Sequence, residues 1–146
     1  MFFRELDRLV LVADAPMRPQ DMKDAAARGV TLAINNRPDH EETGQWNSTD
    51  LEDAARAAGL DYVHIPVSKE FSGDKVAALT EALLSTEGRV LIFCRTGTRA
   101  CYLWALAQAK AGESPEALDR SARRAGYNLG PLMPWLKPRE DGPASS

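Results

Sequence analysis

The chain has 146 residues, with 44% hydrophobic and 27% charged side chains, the proportions of one globular domain and not of a disordered, collagen-like or disulfide-dense chain. Lys and Arg number 18 against 21 Asp and Glu, a formal net charge of −3, and a pI near 5.4 gives no electrostatic footprint for nucleic acid or an anionic membrane. No apolar run approaches the roughly 20 residues that span a bilayer.

The opening MFFRELDRLVLVADAP carries charges inside its apolar stretch. It lacks a basic start followed by a clean apolar core, so it does not read as a signal peptide. A cytoplasmic location, where thiols stay reduced, is expected. Leu9 to Ala13 is a β-prone run that stops at Asp14-Ala15-Pro16. Pro19 to Arg28 predicts a helix, with Pro19 near its first turn and Gly29 past its end. Val30 to Ile34 predicts a buried strand that runs into the turn chemistry of Asn35-Asn36-Arg37-Pro38-Asp39. Residues 39–46, with three acids, a Gly and Trp46, read as an ordered loop. Ser48 or Thr49 is expected to cap a helix over Asp50 to Ala58, closed by Gly59.

Tyr62 to Ile65 predicts the third core strand, stopped by Pro66. Ser72 or Asp74 opens a helix with Val76, Leu79, Leu83 and Leu84 on one stripe. Arg89 to Phe93 is the strongest strand signal, and a long apolar helix follows over roughly Thr98 to Ala111. Ser114-Pro115-Glu116 starts another helix, and a short segment covers Leu132 to Leu136. Strands alternating with helices predict an α/β three-layer sandwich on a mostly parallel sheet, one domain over 1–137. A flexible tail is expected over 138–146. Active sites in such sheets lie beyond the carboxyl ends of the strands. Asn35-Asn36-Arg37, Pro66-Val67-Ser68 and Cys94-Arg95-Thr96 are expected to meet there.

The chemistry concentrates in Phe93-Cys94-Arg95-Thr96-Gly97-Thr98-Arg99. A buried strand ends at a cysteine, a Gly-containing loop follows, and an arginine opens a helix. A helix N-terminus offers unpaired N–H groups and the positive end of a dipole, and a loop wrapped round it forms an anion nest. A thiol in that field is favoured as the thiolate. Arg95 and Arg99 can hold an anionic substrate group, Thr96 and Thr98 can donate hydroxyl hydrogen bonds, and Gly97 lets the backbone turn. The competing account, Cys94 as a packing residue, fits poorly with two Thr, two Arg and a Gly directly after it.

Cys101 lies among Leu103, Trp104 and Leu106 and reads as core; a disulfide to Cys94 needs a Cα separation under about 7 Å. Six residues separate the cysteines, and His40 and His64 belong to no ligand cluster, so no metal or other cofactor is expected. Arg37 is expected either to touch substrate, with Asn36, or to pair with Asp39 or Glu41 and hold the loop. His64 reads as structural, Arg120, Arg123 and Arg124 as a solvated helix face, and Trp46, Trp104 and Trp135 as core or loop anchors.

Strand-Cys-loop-Arg-helix resembles the thiolate cradle of cysteine-dependent phosphatases and rhodanese sulfurtransferases. Asn35-Asn36-Arg37-Pro38-Asp39 with Glu41-Glu42, Gly59 through Val67, and Cys94 through Arg99 together are similar to something narrower: the phosphatase-like domain of bacterial beta-lactamase-hydrolase-like proteins. The resemblance covers about residues 5–136 and implies a dual-specificity-phosphatase-like fold. It also implies phosphatase-like or sulfur-transfer chemistry, with some members fused to a metallo-hydrolase-type persulfide dioxygenase. For this chain such a dioxygenase is expected as a separate partner.

Two departures order the readings. Phosphatase cradles of the resembling kind hold five residues between Cys and Arg; here Arg95, Thr96, Gly97 and Thr98 make four. Where those phosphatases carry a general-acid Asp after the third strand, this chain has Ser68 and Lys69, a loss of roughly 10²–10⁴-fold in proton donation unless Glu70 or Asp74 folds back. Ala100 stands where the resembling enzymes carry a hydroxyl. The expected function is therefore sulfane-sulfur transfer through a Cys94 persulfide, from a small anionic donor to a thiol acceptor. The alternatives are a phosphoric monoester hydrolase working through a Cys94 phosphocysteine, and an anion- or phosphopeptide-binding module.

Overall fold

The computed structural model describes residues 3–137; the tail expected beyond Lys137 lies outside them. Five strands form one sheet: β1 (Phe3–Glu5), β2 (Val10–Ala13), β3 (Val30–Asn35), β4 (Asp61–His64) and β5 (Arg89–Phe93), in the order β1-β2-β5-β3-β4. β2, β5, β3 and β4 run parallel, and β1 adds to the edge antiparallel. The fold is α/β with a mostly parallel sheet. Sequence patterning alone did not mark β1, because three residues with two charges give no period-2 signal.

The helices are α1 (Asp21–Ala27), α2 (Ser48–Ala57), α3 (Gly73–Leu84), α4 (Thr98–Lys110), α5 (Pro115–Arg124) and α6 (Met133–Leu136), the last preceded by a 3₁₀ turn over Gly130–Leu132. Asn47 caps α2, its Oδ1 accepting from the Asp50 N–H at 2.9 Å, one residue before the expected Ser48. Ser114 caps α5 and accepts from the Ala117 N–H. Alternation along β5 sends Val90, Ile92 and Cys94 to one core and Leu91 and Phe93 to the other. The first core is built on α3, α4, α5 and α6; the second holds Met22 and Ala25 of α1 and Leu51 and Ala55 of α2. A register irregularity between Val30 and Leu32 puts those two residues on opposite faces despite their spacing.

α4 is buried along most of its length, with Ala100, Cys101, Leu103, Trp104, Ala105 and Ala107 all inside. It is the central helix, and the Cys94–Gly97 loop feeds directly into it. Trp104 is core as expected. Trp135 departs from expectation: it is 76% exposed, because the short α6 buries Leu136 and turns its neighbour outward.

Candidate active site

β5 delivers Cys94 to the carboxyl edge of the sheet, and Gly97 turns the chain into α4 with φ +98°. The Gly97 N–H then points back and donates to the Cys94 sulfur at 3.2 Å. Cys94 is 2% exposed, yet it is not merely packed, since a backbone donor at a helix start aims at its sulfur. A Cβ on Gly97 would stand 2.0 Å from the Tyr127 hydroxyl and 2.7 Å from Val12 Cγ1. That crowding and the left-handed φ together explain the glycine. The Tyr127 hydroxyl donates to the Thr96 carbonyl at 2.9 Å and braces the loop from outside. The Thr96 and Thr98 hydroxyls lie 3.4 Å apart, facing each other across the loop.

Arg99 sits on the first turn of α4. Its Nη1 donates to Glu41 Oε2 at 2.6 Å and to the Val67 carbonyl at 2.8 Å, and its Nη2 donates to Glu41 Oε1 at 3.0 Å. Three of its five guanidinium N–H groups are thus spent on Glu41 and the Val67 carbonyl. The hydrogen bond to Glu41 raises the Arg99 pKa, and the neighbouring Cys94 adds to it, which places the guanidinium within electrostatic reach of the Cys94 sulfur. Glu41 is held below the usual carboxylate range, first by Arg99 and then by Arg37.

Arg37 is buried and committed to the loop: Nε donates to Glu41 at 3.0 Å and Nη2 to Glu42. Of its two expected roles, the structure displays the loop-holding one. Arg95 is more exposed, with Nε 3.5 Å from Glu42. Asn36 lies under the loop, fully buried, with Nδ2 on the Ile65 carbonyl at 2.8 Å. Asn35 donates to the Tyr62 hydroxyl, which also meets Ser48, and burial pushes the Tyr62 pKa up. His64 is structural, its Nε2 2.9 Å from the Arg37 carbonyl.

The loop after β4 continues the ladder through Val67, whose N–H donates to the Asn36 carbonyl at 2.8 Å. Ser68 and Lys69 follow. Asp74, expected with Glu70 as a stand-in proton donor, is held ionised by the Ser72 hydroxyl, so it is a poor acid at neutral pH. Both cysteines are free, and burial pushes the Cys101 thiol up to about 12. Cys101 is core, as its helix context indicated. Two contributors escaped sequence reading: Glu41 as the anchor of Arg99, and Tyr127. Glu41 had a signal in its acidic pair beside Arg37; Tyr127 had none.

The chain matches the family of the phosphatase-like domain of the beta-lactamase hydrolase-like protein over residues 3–111. A beta-lactamase hydrolase-like protein of Xylella fastidiosa is 37% identical over 77% of this chain and 26% of its own length. One of Agrobacterium fabrum is 33% identical over 90% of this chain and 31% of its own. The chain thus spans about a quarter to a third of the curated relatives it matches. A crystal structure of a phosphatase candidate from Neisseria meningitidis superposes with a TM-score of 0.82 at 29% identity, covering 92% of this chain and 95% of that one. A kinase-associated phosphatase, solved with its catalytic-site cysteine replaced by serine, shares the fold at a TM-score of 0.70 and 17% identity, covering 92% of this chain and 89% of its own.

Proposed function

The chain belongs to the family of phosphatase-like domains of beta-lactamase hydrolase-like proteins, and from that premise we propose that it hydrolyses phosphoric monoesters through Cys94. The observation that carries this is the Gly97 N–H on the Cys94 sulfur at the head of α4, with Arg99 pinned beside it. The thiolate attacks phosphorus, the bond to the leaving oxygen breaks, and that oxygen departs with the electron pair. Arg99 and the loop N–H groups hold the phosphoryl oxygens as charge shifts. Water then attacks the phosphocysteine and releases phosphate, restoring the thiolate.

Proton supply limits the substrate. Glu41 and Asp74 are both held ionised, so neither donates to a leaving alkoxide. Aryl phosphates, whose leaving oxygen needs no full proton transfer, are the expected substrates. Cys94→Ser is expected to abolish their turnover, and the wild type is expected to gain the mass of one phosphoryl group on Cys94 when quenched in acid. An unmodified Cys94 with no aryl phosphate consumed overturns this reading.

A second reading is favoured by the four-residue spacing between Cys94 and Arg99, one residue shorter than in the phosphatase cradles that the motif resembles. Here the thiolate attacks the outer sulfur of thiosulfate or a persulfide. The sulfur–sulfur bond breaks, sulfite or thiolate leaves with its electron pair, and Cys94 becomes a persulfide. An acceptor thiolate takes the terminal sulfur. The partners expected above, a sulfur donor, a thiol acceptor and a separate persulfide dioxygenase, belong with this reading. Intact mass separates the two: thiosulfate adds one sulfur atom, and an aryl phosphate does not. Anion binding that survives Cys94→Ser, with neither adduct before mutation, selects the binding module instead.

A further inference from the structure

Three segments brace the Cys94 loop, and each runs on to build a groove beside it. The Val67 carbonyl accepts from Arg99 at 2.8 Å, and Lys69 to Ser72, just after it, line one side of the groove. On α4, Arg99 is followed at i+3 and i+7 by Tyr102 and Leu106, which share its face of the helix and line the groove. After α5, the Tyr127 hydroxyl holds the Thr96 carbonyl, and the next carbonyl, that of Asn128, accepts from the Tyr102 hydroxyl at 3.1 Å. Leu132 and Trp135 complete the lining. The groove has a volume of about 510 Å³ and begins one helical turn from Arg99.

Its walls are aromatic. The Phe71 and Tyr102 rings meet with centroids 6.0 Å apart at 51°. Both are half-buried, and Trp135 is exposed. The Tyr102 hydroxyl is committed to Asn128, so what remains for a ligand is the ring. Aromatic walls of this kind suit a flat apolar group, held by offset or edge-to-face contacts. The residues after Lys137, Pro138 to Ser146, include no aromatic, Leu, Ile, Val or Met side chain that would fill such a groove.

We propose that the groove is a leaving-group subsite: it takes an extended aryl group joined through oxygen to the phosphoryl group transferred at Cys94. The inference rests on the phosphoryl reading and narrows its substrate class. With Glu41 and Asp74 held ionised, the leaving oxygen departs as a phenolate, so the substrate carries an aryl group that must lie beside the Arg99 site. The groove is the aromatic surface that the bracing segments place there. The chemistry at Cys94 is unchanged: the sulfur–phosphorus bond forms, the phosphorus–oxygen bond breaks, and the phenolate keeps the electron pair. A second ring, beyond the one bonded to oxygen, gains contact with Phe71, Tyr102 and Trp135 in the ground state and the transition state alike. Its benefit therefore falls on KM more than on kcat.

The test compares phenyl phosphate with 3- and 4-biphenylyl phosphate on the full chain. The added phenyl group changes the phenol's acidity little, so the series varies apolar reach and not leaving-group ability. The better biphenylyl ester is expected to exceed phenyl phosphate about tenfold in kcat/KM, the gain from removing roughly 55 Å² of apolar surface from water. Trp135→Ser and Phe71→Ser are each expected to lower that preference at least about threefold, the loss of part of the same contact area. Leu84→Ser, which removes an equally exposed apolar side chain outside this groove, is expected to keep it. Should Phe71→Ser fail to fold, Trp135→Ser decides, since its side chain stands mostly in solvent. No preference in the wild type, or one that survives Trp135→Ser, overturns the proposal while leaving the phosphoryl reading intact.

Binding of the free phenols separates the two failures. 3- or 4-phenylphenol is expected to shift the Trp135 indole N–H resonance saturably, the resonance being assigned with Trp135→Ser. If the phenols bind but no aryl phosphate is turned over, the phosphoryl reading has failed and the leaving-group role with it. If neither phenol shifts that resonance, the groove is not an aryl site. Sedimentation gives the remaining outcome: a wild-type dimer that Trp135→Ser converts to a monomer assigns the face to a second copy of the chain and overturns the proposal.

Discussion

Glu41 joins the acidic loop to Arg99, so its ionisation is worth stability as well as position. Its carboxyl titrates lower in the folded chain than in the unfolded one, mainly because of Arg99. The unfolded state therefore takes up the proton first as pH falls. The stabilisation is complete above the ordinary carboxylate range and is lost as pH drops through the lowered folded value. Glu41→Gln should cost about 1 kcal/mol at neutral pH, the scale of a partly exposed ion pair, and the gap to wild type should close in acid. Urea midpoints at the two pH values measure it; a constant gap contradicts the assignment. Gly97 is the other residue whose replacement is legible from geometry. Gly97→Ala combines a left-handed backbone with a Cβ 2.0 Å from the Tyr127 hydroxyl. About 2–4 kcal/mol of destabilisation is expected, together with loss of the N–H aimed at Cys94. Thermal melts and Cys94 alkylation rates check both halves.

Among the elements, the loop after β5 is held from two sides. Arg99 ties it to the loop after β3 and to Val67, and Tyr127 ties the Thr96 carbonyl to the end of α5. Tyr127→Phe removes one neutral hydrogen bond and leaves the ring in place, so kcat/KM should fall about 3- to 10-fold with little change in fold. Cys101→Ala, in the core of α4, should leave turnover intact, which steady-state kinetics on the same substrate will show. The sequence disclosed elements whose burial is patterned locally: Arg89 to Phe93 is the observed β5, and the Cys94–Arg99 motif sits where strand meets helix. The meeting of the β3, β4 and β5 ends was likewise legible, since each strand stops at turn chemistry. Long-range partners were not. Nothing near Gly97 announces a tyrosine 30 positions on, and the bond between Glu41 and Arg99 spans 58 positions. Asp74 reads as an available acid in the sequence, but the Ser72 hydroxyl donates to its carboxylate. β1 has three residues and no apolar alternation, so only its pairing with β2 defines it.

At the level of the whole molecule, the site draws on nearly every layer. Three adjacent strands, β5, β3 and the edge strand β4, end beneath it, α4 begins in it, and the acidic loop and Tyr127 close its flanks. No helix among the described residues is long and apolar enough to cross a membrane. An anion bound at this junction contacts only the assembled fold, because the unfolded chain has no such arrangement of N–H groups and Arg99. Binding must therefore raise global stability by mass action. Tungstate, a phosphate mimic, at one hundred times its Kd should add about 2.7 kcal/mol. For a domain of this size that is a Tm increase of about 8–11 °C. Arg99→Met should abolish most of the increase, and Arg123→Met, on the solvated face of α5, should leave it unchanged. Repeating the melts with thiosulfate compares the two proposed chemistries in the same assay. A larger increase with tungstate supports the phosphoryl reading, and a response to thiosulfate alone supports the sulfur one. If neither anion moves the Tm, or if Arg99→Met responds like wild type, the cradle at Cys94 is not the anion site and the function assigned to it fails.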